Sequence, residues 1–185
     1  MFFKKKVPLK NYCIIKFDFI CSGSGSTIAD YLKNQCGNNF VSQVDEATYM
    51  SHFRGAFLVL LGVAFSRTLK RNQRYDVMHM QNEYLKSKGL QKLGDLAHMY
   101  NSAFGSSPVD GIMAMAICFA ENVTVEGIDP KLVAKAHHDG FKGIIIEILD
   151  DLKGIKLVWG LIFWLVFKKR EPVRRLSFYR ASTIT

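Results

Sequence analysis

An all-α protein is what this amino-acid sequence predicts: a compact multi-helix domain with a central buried helix and appended basic N- and C-terminal segments. Three observations carry the expectation. Of 185 residues, 49% are hydrophobic and 12% aromatic, enough for a packed core. Apolar residues recur at helical spacing, as in Leu90, Leu93, Leu96, Ala97 and Tyr100. Neither hairpin signals nor an alternation of strand and helix patterns occurs. The expected organisation is a basic, linker-like segment over 1–25, a helical domain over 26–154, and an apolar then basic tail over 155–185.

The elements follow in chain order. Lys4-Lys5-Lys6 and the run YCIIKFDFIC have the outline of a signal peptide, but Lys16 and Asp18 interrupt the apolar stretch. CSGSGST reads as a linker. Ser26 or Thr27 then caps a helix towards Gln35 that Cys36-Gly37-Asn38 stops. Asp45 and Glu46 favour the first turn of a long helix through ATYMSHFRGAFLVLLGVAFSR, apolar nearly all round past Gly55 and therefore central. A basic connection leads to a helix around Tyr75 to Lys86, broken by Gly89. LQKLGDLAHMY is amphipathic and NSAFGSSP reads as loop. VDGIMAMAICFAE is a short helix capped near Ser107 or with Pro108 at its first position. NVTVEGIDP leaves room for one short strand. Asp129-Pro130 opens a helix through His137, Gly140 marks a turn, and a last apolar helix reaches Leu152.

Charge is unevenly placed within a formal net of +9. Residues 1–24 carry five Lys against Asp18, and residues 155–185 seven Lys/Arg against Glu171. The stretch between holds thirteen cations against fourteen acids. Inside it, Arg67 to Lys92 concentrates seven cations against Asp76 and Glu83, a local +5. Such an excess points to an anionic partner.

Signatures of catalysis and metal binding are missing. No G-x-x-x-x-G-K-[ST], G-x-S-x-G, H-E-x-x-H or C-x-x-C occurs, so the expectation is a non-enzymatic protein without cofactor or metal. The four cysteines are scattered, as for thiols in a reducing, intracellular compartment. His137-His138-Asp139 reads as a pair packed in the turn before Gly140. Asp150 and Asp151 read as a solvated helix end. The sequon Asn122-Val123-Thr124 matters only in a secreted chain.

Arg67, Lys70, Arg71 and Arg74 recur at i, i+3, i+4 and i+7, one stripe if the helix persists. Lys86, Lys88 and Lys92 extend this surface if the chain folds back at Gly89. Tyr75, Tyr84, Tyr100 and His79 stand near enough in sequence to stack on bases. Cations at a helix exit also oppose the negative end of the dipole, but one or two suffice for that.

Read in order, FSRTLK, DVMHMQ, GLQKLGDLAHMY, SPVDGIMAMAICFAE and VEGIDPKLVAKAHHDGFKGII resemble the nucleocapsid proteins of phlebovirus- and tenuivirus-like negative-strand RNA viruses over roughly residues 27–150. The resemblance rests on Gly127-Ile128-Asp129-Pro130 and His138-Asp139-Gly140-Phe141-Lys142-Gly143 together with the order of the segments. It implies a ribonucleoprotein component that encapsidates single-stranded RNA without sequence preference, here a truncated form. Arg67 and Lys70 then match the family's phosphate-neutralising residues, and His79 falls at a further basic position. Met113 or Met115 replaces the family's Arg of the Ala-rich helix, and Thr68-Leu69 its Gly-Asn. The implied RNA-binding set is Arg67, Lys70, Arg71, Arg74, His79 and Lys92, with single-stranded RNA as partner and room for a homo-oligomer. The implied location is cytoplasmic, or in a virion ribonucleoprotein particle. The alternative is a membrane-peripheral helical protein. In that reading the tail enters an anionic membrane surface through Trp159, Phe163 and Trp164, with Lys168, Lys169 and Arg170 on the headgroups.

Overall fold

The structure, a computed structural model, describes residues 5–22, 26–37, 40, 43–124 and 126–158. Among these the chain forms seven helices and one pair of short strands. β1 (Lys5–Pro8) leads into α1 (Leu9–Cys21). Then come α2 (Ser26–Gln35), α3 (Glu46–Thr68), α4 (Arg71–Ser87), α5 (Gln91–Ser106), α6 (Gly111–Val123) and α7 (Pro130–Lys153). β2 (Ile155–Val158) closes the described chain. The all-α expectation holds; the strands pair parallel with each other, Lys5 beside Ile155 and Pro8 beside Val158.

α3 is the axle. Asp45 caps it, its carboxylate accepting from the Thr48 N–H at 2.8 Å. Every residue from Gly55 to Leu61 is buried, because the other six helices all pack on it. α3 is also the one described helix long and apolar enough to cross a membrane, but 67% of its apolar window is buried inside the protein. Its apolarity is that of a core helix. Gly55 lets α5 approach: a Cβ there would sit 2.8 Å from the Leu96 Cβ.

The described part of the first 25 residues, 5–22, is not the appendage expected from sequence. Leu9, Tyr12, Cys13, Phe17 and Ile20 of α1 are buried at helical spacing within the common core. The two charges that interrupt the apolar run are bonds to the body. Lys16 Nζ lies 2.7 Å from Asp151 on α7, which also accepts from the Tyr12 hydroxyl at 2.7 Å. Asp18 accepts from the Tyr84 hydroxyl on α4 and faces Lys88 Nζ at 4.0 Å. Asp151 is thus an interhelical acceptor and not the solvated carboxylate expected.

α7 corrects a second expectation. It runs unbroken for 24 residues, through Gly140. Asp129 caps it, accepting from the Lys131 N–H at 2.9 Å, with Pro130 in its first turn. Gly140 makes a close approach where a turn was expected: a Cβ at this position would lie 2.1 Å from Leu32 Cδ2 of α2. His137 and His138 therefore sit on a helix and are both buried. His138 Nε2 faces Asp110 Oδ2 at 3.1 Å and its Nδ1 faces Asp139 Oδ1 at 3.2 Å. Asp110 also caps α6, accepting from the Met113 N–H at 2.9 Å, so the cap is neither Ser107 nor Pro108. α5 extends to Ser106, through most of the expected loop. No strand occurs among the described residues of 122–130.

Rings of Tyr49, Phe53, Phe119, His137 and Phe141 pack together beneath α3, with Phe119 and His137 centroids 4.5 Å apart. Tyr49 reaches His137 Nε2 with its hydroxyl at 2.7 Å and the Ala29 carbonyl at 3.2 Å. His137 Nδ1 lies 2.8 Å from the Val133 carbonyl, to which it donates. Burial holds this imidazole at about 4 against its ordinary 6.5.

Candidate nucleic-acid interface

The one-helix stripe of Arg67, Lys70, Arg71 and Arg74 does not exist, because the helix does not persist. α3 ends at Thr68, and Leu69 and Lys70 are extended. Gln73 starts the next helix by accepting from the Lys70 N–H through Oε1 at 2.9 Å. Leu69 is buried at this elbow and anchors it. Arg67 thus sits in the last turn of α3, Lys70 caps α4, and Arg71 and Arg74 fall in α4's first turn.

All four side chains are exposed, and none makes an ion pair among the described residues. Arg74 Nε donates to the Leu69 carbonyl at 3.0 Å and so braces the elbow. Arg71 lies over the Tyr75 ring, 5.9 Å from its centroid. Helix-exit compensation accounts for Arg67 alone. Arg71 and Arg74 stand at the positive end of the α4 dipole, where a cation is unfavourable by roughly 0.3–1 kcal/mol.

A different stripe runs down α4. At about 100° per residue, Arg71, Tyr75, His79, Asn82 and Lys86 share one face, and all are exposed. The stripe is about 22 Å long at about 1.5 Å per residue. Met78 flanks it, 62% exposed, and Tyr75 is 57% exposed. His79 therefore belongs to the surface predicted, by way of α4 and not of the α3 exit. Lys92 is exposed in the first turn of α5, at the opposite end of α4 from the elbow. The chain does fold back at Gly89, whose φ of +68° suits glycine. Of the tyrosines expected to stack, only Tyr75 is free to do so, and the His79 ring is exposed beside it on the stripe. Tyr100 is wholly buried, with its hydroxyl 2.7 Å from His52 Nδ1, and Tyr84 is half-buried and committed to Asp18.

Beside the elbow opens a cavity of about 180 Å³, lined by Thr68, Leu69, Gln73, Leu152, Ile155 and Leu157. Sequence reasoning did not find it, since its walls come from positions 69, 152 and 157. No group of three or more His, Cys, Asp or Glu among the described residues is placed to hold a metal ion. Trp159, Phe163, Trp164, Lys168, Lys169 and Arg170 of the membrane reading lie outside the described residues.

A scan against protein-family models finds no matching family, and searches of curated proteins and of solved structures find no match.

Proposed function

We propose that the chain is a non-enzymatic, nucleocapsid-like protein that binds single-stranded RNA without sequence preference, holding phosphates at the α3–α4 elbow. One observation carries the reading. Lys70, Arg71 and Arg74 crowd the positive end of a helix, exposed and, among the described residues, without a carboxylate within ion-pair distance. Such a placement raises the free energy of the unliganded protein, and a polyanion relieves it. The α4 stripe continues the contact with Tyr75 as a stacking platform and with His79 and Lys86 as polar and cationic contacts. Lys92 extends it past the Gly89 turn.

Filter binding of a homopolymeric RNA across a salt series tests this. Three or four phosphate contacts give a log–log salt slope of about −2 to −3 for a single strand. An Arg67→Ala/Lys70→Ala/Arg71→Ala variant with an unchanged melting temperature is expected to lose most of that slope. Arg74 is left in place because it braces the elbow. Equal retention of both proteins, insensitive to salt, rejects the reading.

A further inference from the structure

We infer that α2 is an acid-released lid: it closes over the neutral ring of His137 and lets go when that ring takes up a proton. Its action is independent of whatever ligand the elbow holds.

α2 is lightly held. Of its described side chains only Ala29, Leu32 and Lys33 are buried, and among the described residues it makes no ion pair with the body. α1, by contrast, is tied down through Lys16 and Asp151. α2 packs on α7 and α3. Leu32 fills the space left by the missing side chain of Gly140, one turn past His137. The remaining contacts gather at His137 itself. The Tyr49 hydroxyl, 2.7 Å from Nε2, lies 3.2 Å from the Ala29 carbonyl of α2. Cys36, just past α2, brings Sγ to 3.9 Å from Nδ1 and to 3.5 Å from the Leu32 carbonyl.

The lid thus covers the nitrogen edge of the ring, where a charge needs water. Phe119 of α6, Phe141 of α7 and Tyr49 of α3 pack against the rest of the ring and do not depend on α2. Among the described residues no charge compensates. Asp30 and Lys33 of α2 have opposite signs and form no ion pair with the ring, and the neighbouring His138 is turned to Asp110 and Asp139. Hydrogen bonds do not oppose protonation. Nδ1 keeps the Val133 carbonyl, Nε2–H donates to the Tyr49 oxygen, and Tyr49 turns its own proton to Ala29. Burial alone opposes the charge, and it holds the ring at about 4 against 6.5. Undocking α2 wets the nitrogen edge and returns the ring towards 6.5, so proton uptake and docking work against each other. Docking is complete above about pH 6.5, weakens by up to about tenfold per pH unit below it, and levels off near pH 4 at up to about 300-fold weaker.

Hydrogen exchange of the full chain from pH 7 to 4 tests this, with each rate divided by the intrinsic rate at that pH. The α2 amides are expected to be less protected than those of α5 at every pH, and insensitive to dilute urea, as local opening is. Their protection is expected to fall by up to about tenfold per pH unit below 6.5. In His137→Gln it is expected to stay flat over the same range. The linkage is reciprocal. Leu32→Ala loosens the lid and leaves Phe119, Phe141 and Tyr49 in place, so the His137 ring resonance is expected to titrate closer to 6.5 than in the unaltered protein. Equal protection of α2 and α5 throughout makes the event global unfolding and overturns the lid. So does α2 protection that ignores pH in the unaltered protein, or a fall that persists in His137→Gln and so belongs to another group. A His137 midpoint that a folded Leu32→Ala leaves unmoved also overturns it. If Leu32→Ala does not fold, exchange in the unaltered chain still decides.

Discussion

Acidification is expected to destabilise this protein through His137. The ring is fully buried among Tyr49, Phe119 and Phe141, and no described carboxylate touches it. Desolvation disfavours the imidazolium more than the Val133 carbonyl favours it, which lowers the folded-state value to about 4. In the unfolded chain the ring titrates near its ordinary 6.5. The unfolded state therefore takes up a proton first as pH falls. Stability is complete above about pH 6.5, declines by about 1.4 kcal/mol per pH unit below it, and levels off near pH 4. The loss amounts to roughly 2 kcal/mol at pH 5 and about 3 kcal/mol at the limit, against a typical total of about 5–15 kcal/mol. Burial lowers His52 in the same direction, so it adds to the same window. Urea titrations between pH 7.5 and 5 measure the slope in the unaltered protein and in His137→Gln. The variant starts less stable at pH 7.5 but falls less steeply. Parallel slopes in the two proteins would refute the argument, as would a His137 resonance titrating near 6.5 in the folded protein.

Other substitutions test the packing. Gly140→Ala forces a Cβ against Leu32 and is expected to cost about 1–3 kcal/mol, read as a lower melting temperature. Gly143→Ala, three residues along the same helix with nothing within 4 Å, is expected to stabilise by up to about 1 kcal/mol. Lys16→Met leaves Asp151 without its cation and lowers the urea midpoint by the equivalent of about 1–3 kcal/mol, while Lys16→Met/Asp151→Leu recovers part of that loss. Asp110→Ala removes the α6 cap together with the carboxylate facing His138, costing about 1 kcal/mol for the cap alone in thermal melts at neutral pH.

The central helix was legible because a long apolar run with no polar face has only one place to go. Asp45 and Asp129 were legible as marking helix starts for an equally local reason: each bonds the backbone two or three residues ahead. α1 was not, since its run is broken by Lys16 and Asp18, whose partners Asp151 and Tyr84 are distant in the chain. Gly140 carries the local signal of a breaker, and only the position of Leu32 reveals a contact instead. The α3–α4 elbow has neither Gly nor Pro; the sequence reads there as a basic connection, with a cation stripe only if the helix persists. The one local sign of the break is Gln73 placed three residues after Lys70. The cation cluster itself was readable in composition, whereas the face it presents depended on that break.

The strand pair joins Lys5 to Ile155, and α1 is bonded to the last turn of α7. During synthesis, the helix made first is covered on its greasy side by α3 and α4, but its ion pair must wait for nearly the whole domain. A ribosome-bound chain stalled ahead of Asp151 would leave Lys16 and the Tyr12 hydroxyl without their acceptor. Its assembly is expected to finish late and all at once, with a refolding rate slow for so helical a protein.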